Sequence, residues 1–153
     1  MKYFTLLFLL LFSHTTLANK CIDLMQKEDF YEASEVCRTM ADKGERNAQF
    51  SLAVMYYQGS GMMADIAESK KWMRKAALQN HNQAQYNLGI MIANGQGGPA
   101  DLVEAYAWLK ISAENGYSAA ADSVKQLGDE LSSDEKKLAN ERLNSLKKSL
   151  KTK

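Results

Sequence analysis

The chain has 153 residues, 46% of them hydrophobic and 24% charged, with 19 Lys and Arg against 18 Asp and Glu. That length suits one domain with a continuous core, and the composition excludes a disordered, collagen-like or channel-forming chain. A net charge of +1 lacks the basic excess on which binding to nucleic acid or an anionic membrane relies.

Met1-Lys2-Tyr3 leads into an apolar run, Phe4 to Phe12, that is too short to span a bilayer, and Thr16-Leu17-Ala18 puts small residues where a signal peptidase reads. Residues 1–18 are therefore expected to be a cleaved secretory signal, which makes the mature protein periplasmic or secreted, with no membrane insertion. A lipoprotein site is disfavoured because Lys20 precedes Cys21. Cleavage removes Lys2 and no acid, leaving 18 basic residues against 18 acidic. Cys21 and Cys37 both remain, and two cysteines in an oxidising compartment predict one disulfide. A turn near Glu28-Asp29 would place them at similar distances on either side, facing each other in a helical hairpin. Two thiols without a histidine cluster make a poor metal site, and neither metal nor cofactor is expected.

After the short piece Cys21 to Gln26, a helix is predicted from Asp29 to Lys43, and then the chain repeats itself. Shifted by 36 positions, Ala48, Leu52, Gly59, Gly61, Asp65 and Trp72 fall on Ala84, Leu88, Gly95, Gly97, Asp101 and Trp108. Each unit reads as two helices: Asn47 to Gln58 then Asp65 to Gln79, and Gln83 to Asn94 then Asp101 to Glu114. Gly44, Asn80 and Gly116 recur where a helix ends in the left-handed conformation, and Asp65 and Asp101 suit helix N-termini. Ala120 and Val124 begin a third unit. Ser132-Ser133-Asp134-Glu135 has capping-box spacing, and Leu138, Leu143, Leu146 and Leu150 mark a closing amphipathic helix. The expected organisation of domain 19–150 is a half unit 20–44, repeats 47–80 and 83–116, and a third helix with its cap, 118–150. Units of this length bury their apolar faces only against their neighbours.

The pattern Ala-x3-Leu-(Ala/Gly)-…-Gly-x-Gly-x3-Asp-x6-Trp resembles the Sel1-like repeat (SLR), a relative of the tetratricopeptide repeat. Ile92 stands where Tyr56 does in the other unit, Asn80 replaces a Gly, and Ser112 replaces an Ala. The resemblance implies an all-α fold, a right-handed α-solenoid of antiparallel helix pairs with about two and a half repeats, whose first helices line a concave face. It also implies an adaptor or assembly factor that binds another protein or peptide. Relatives linked to β-lactam binding or hydrolysis carry a cysteine pair in every repeat, which this chain lacks. A structural subunit without a groove ligand is the other alternative.

The chain offers catalysis little material, and no small-molecule substrate is expected. Past the signal His81 is the lone imidazole, in a turn where a solvated residue is the simpler reading. Trp72 and Trp108 recur as core residues do. A second apolar stripe, Phe50, Val54 and Tyr57, maps onto Tyr86, Ile90 and Ala93, and ends at Asp122, Gln126 and Asp129. With Met55, Met91 and a rim of Asn47, Gln58, Gln83 and Asn94, it is expected to seat a peptide or partner helix. The predicted partner-binding residues are Phe50, Val54, Tyr57, Tyr86, Ile90 and Asn94.

Overall fold

The computed structural model describes residues 20–151, and all its regular structure is helical. The signal expected over 1–18 lies outside the described residues. The described chain clusters into two compact units that divide between Asp65 and Ile66.

The first unit holds α1 (20–26), α2 (Phe30–Asp42) and α3 (Arg46–Gln58). Glu28, at φ 60°, reverses the chain after α1, and the Asp29 carboxylate then accepts the Glu32 backbone N–H to start α2. This hairpin brings Cys21 and Cys37 together as the expected disulfide, with both cysteines fully buried. Ala33, Cys37, Met40 and Ala41 of α2 pack with Ala48, Leu52, Ala53 and Met55 of α3 in the core.

The second unit holds α4 (Ile66–Ala77), α5 (Asn82–Ala93), α6 (Leu102–Glu114), α7 (Ala119–Glu130) and α8 (Ser133–Lys151). Helix α5 lies between α4 and α6, and α6 also packs against α7 and α8. Trp108 is fully buried at its centre and Trp72 is 5% exposed, as the repeat position predicts. The capping box forms: the Glu135 backbone N–H donates to Ser132 Oγ at 3.3 Å while the Ser132 backbone N–H donates to Glu135 Oε2 at 2.9 Å.

Two devices recur every 36 residues. Gly44, Asn80 and Gly116 have φ of 94°, 59° and 87°, and the next residue's N–H returns to the carbonyl five positions earlier, as in Glu45 to Met40, His81 to Ala76 and Tyr117 to Ser112. These are Schellman ends, closed by residues that tolerate the left-handed region. In the connection between paired helices the backbone comes closer than a side chain permits. A Cβ on Gly61 would lie 2.0 Å from the Phe30 carbonyl oxygen, and one on Gly97 would lie 2.9 Å from that of Ile66.

Candidate functional site

In the first unit, the spacing of α3 that turns Ala48, Leu52 and Met55 into the core leaves Phe50, Val54 and Tyr57 on another face. Phe50 and Val54 are half-buried, and Tyr57 is 44% exposed. Asn47 and Gln58 are exposed at the two ends of the helix.

In the second unit, Tyr86 and Ile90 of α5 are half-buried and Asn94 is exposed. Tyr86 leans on Tyr117, with ring centroids 5.1 Å apart and planes at 46°. Asn94 is the C-cap of α5, its backbone N–H donating to the carbonyls of Ile90 and Ile92. No residue of α5 is charged. On α7 the positions that follow by the repeat, Asp122, Gln126 and Asp129, are exposed, and Asp129 receives Lys125 at 3.5 Å.

Two expectations need correction. Met55 is fully buried and Met91 is 3% exposed, so both belong to the core and not to the stripe. Helix α5 packs against a neighbour on each side, which buries a wider face than one apolar stripe, and Met91 lies on its flank. His81 is not a solvated turn residue. It is half-buried and is the N-cap of α5, its Nδ1 accepting the Ala84 backbone N–H at 3.2 Å.

The polar side chains that are buried have structural work. The Gln49 and Gln85 carboxamides, both buried, donate to the carbonyls of Ala41 and Ala77, eight residues earlier, at 3.2 and 3.1 Å. Each thereby adds a second hydrogen bond to a carbonyl at the end of the preceding helix, which also accepts the backbone N–H of Gly44 or Asn80. Asn115 Nδ2 donates to Gln85 Oε1 at 3.0 Å, and Ser112 Oγ donates to the Asn82 carbonyl at 2.8 Å. The indoles of Trp72 and Trp108 both donate to the glutamate one turn earlier, Glu68 and Glu104, at 3.2 Å. Sequence reading missed these pairs, although Gln49 and Gln85, and Glu68 and Glu104, recur at the repeat spacing that exposed the tryptophans.

The half-buried Glu104 carboxylate has its acidity shifted by its surroundings. Burial pushes its carboxyl up, but the hydrogen bond and charge of Arg74 at 2.7 Å, the Trp108 N–H and the charge of Arg142 outweigh burial and hold it below the ordinary carboxylate value. An ionised carboxylate already engaged by Arg74 and an indole is a brace and not a proton donor. Among the described residues no group of three or more His, Cys, Asp or Glu could hold a metal ion. No described helix is long and apolar enough to cross a membrane.

The Sel1 repeat family model matches residues 46–81 and 82–117, the two units read from the 36-residue shift. No curated protein matches the sequence. Among solved structures, the chain is similar to c5321, described as a protective antigen present in uropathogenic Escherichia coli strains and displaying an SLR fold. The TM-score is 0.84 at 28% identity, over 90% of this chain and 30% of that one. A Sel1 repeat protein from Oxalobacter formigenes shares the fold, with a TM-score of 0.59 at 24% identity over 70% of this chain and 59% of that one. The chain thus spans less than two thirds of the length of either. The chain therefore carries two Sel1 repeats, and its all-helical structure is similar to the SLR fold.

Proposed function

We propose that this protein is a periplasmic or secreted adaptor that binds a partner protein through the second apolar stripe that each of its first helices carries: Phe50, Val54 and Tyr57 on α3, and Tyr86 and Ile90 with Asn94 on α5. Sel1 repeats generally mediate protein–protein interactions. The observation that carries the assignment is the contrast between homologous positions. The stripe is apolar and part-exposed on α3 and α5, whereas α7 presents Asp122, Gln126 and Asp129. Conserving a fold does not require half-exposed aromatics at such positions, and apolar surface left open on a repeat protein commonly marks an interaction site. The buried disulfide supports an oxidising compartment and a cleaved signal over 1–18. No residue is assigned to catalysis, and neither cofactor nor small-molecule substrate is part of the reading.

The test is capture by the tagged mature protein, followed by mass spectrometry of what remains bound, with Tyr57→Ala and Tyr86→Ala combined in one variant. Aromatic anchors inside an interface commonly contribute about 2 kcal/mol or more each. The double variant is expected to lose capture at nearly unchanged stability, while Asp122→Ala retains it. Capture that survives the double variant and fails in Asp122→Ala refutes the stripe.

A further inference from the structure

Helix α4 divides into two faces. Ser69, Trp72, Met73, Ala76 and Ala77 are buried, whereas Ala67, Lys70, Lys71, Arg74, Lys75 and Leu78 line a shallow hollow of about 390 Å³ on the other face. Their spacing of three and four residues makes one straight stripe, and 11 residues of helix extend it about 16 Å. Its floor is Ala67, Leu78 and the aliphatic stems, and its rim is four cations.

Carboxylates within the unit leave this charge incompletely balanced. Lys71 pairs with Glu68 at 2.8 Å, and Arg74 with Glu104 at 2.7 Å. The Lys75 ammonium sits 3.6 Å from the centre of the Trp72 ring, an attraction that leaves its charge uncancelled. Lys70 Nζ stands over the backbone of Gly98 and forms no ion pair among the described residues. Two acids thus face four cations on a chain whose overall charge is +1, so the near-neutral total conceals a local positive stripe.

We propose that this α4 stripe is a second interaction surface that takes an acidic segment of a partner protein. The rim matches carboxylates spaced along a helix or strand, and the apolar floor accepts the side chains between them. A membrane surface fits less well. Among the described residues the exposed large hydrophobic ones are Tyr31, Tyr57, Met63 and Leu138, so α4 has no exposed aromatic or large aliphatic anchor to insert. The proposal does not depend on the apolar stripes of α3 and α5.

The probe is a fluorescein-labelled peptide of alternating Glu and Ala, with its Gln-for-Glu counterpart, titrated with the full mature protein by fluorescence polarisation. The Glu peptide is expected to bind at least about tenfold more tightly than the Gln peptide, and to weaken by about tenfold between low and high salt. Lys70→Glu with Lys75→Glu should abolish binding, while Lys148→Glu with Lys151→Glu on α8 should leave it within about twofold. If the α4 charge reversal disturbs the circular dichroism, Lys70→Gln with Lys71→Gln gives the milder version and should still weaken binding. Equal loss from the α8 variant, equal binding of the Gln peptide, or α4-dependent binding to phosphatidylglycerol vesicles without binding to the peptide overturns the proposal.

Discussion

Replacing Trp108 by Ala tests whether the recurrent tryptophans hold the fold. The side chain is fully buried, and its N–H donates to Glu104 at 3.2 Å. Removing a buried indole costs the transfer free energy of its ring and the cavity it leaves, about 3 to 5 kcal/mol. For a chain of this size that corresponds to a fall in melting temperature of roughly 6 to 20 °C. Trp108→Phe separates the contributions, since it retains most of the ring volume and deletes the hydrogen bond, and is expected to cost about 1 to 2 kcal/mol. Both variants should be followed by far-UV circular dichroism during heating and urea titration, beside the capture assay. Wild-type melting in Trp108→Ala, or loss of a partner without loss of stability, would refute the core assignment.

Glu104 gives a pH signature. Its folded carboxyl titrates below the ordinary value of 4.5, so its stabilisation is complete above that value and disappears as pH falls through the folded one. The difference in urea midpoint between wild type and Glu104→Gln should therefore be constant near neutrality and shrink in acid, and a difference that grows in acid contradicts the assignment. Joint replacement of Cys21 and Cys37 by Ser should destabilise the α1–α2 hairpin by about 3 kcal/mol, the loop-closure contribution for a span of this size. Mass spectrometry after thiol alkylation checks the bond itself, and two alkylated cysteines in the protein recovered from the periplasm would contradict it.

The helix ends were the most legible part of the sequence, because each is dictated by one residue with a specific backbone or hydrogen-bonding property. Asp29, Asp101, Ser132 and the left-handed trio Gly44, Asn80 and Gly116 occupy the positions that local rules assign to them. The disulfide followed from the same local geometry. Burial was less legible where a helix has neighbours on two sides, since one apolar period does not reveal which second flank is covered. The repeat spacing alone therefore puts Met91 on the stripe, whereas it lies in the core. The cap made by His81 was hidden for another reason: an imidazole can accept through Nδ1, but it is an uncommon choice there, and the matching Glu45 makes no side-chain cap hydrogen bond. The candidate site was legible as a pattern of positions, while the ionic and carboxamide braces around it depend on residues about 8 and 30 positions apart that no helical period connects.

The two kinds of connection also restrict how such a chain changes length. Between repeats, the Gln49 and Gln85 amides span the turn to Ala41 and Ala77, and within repeats Gly61 and Gly97 lie against the backbones of Phe30 and Ile66. One added residue in either connection would break a buried hydrogen bond or drive the backbone into its neighbour. Only an added segment that recreates every such contact at once leaves both connections intact, which duplication of the whole 36-residue segment does and a single inserted residue does not.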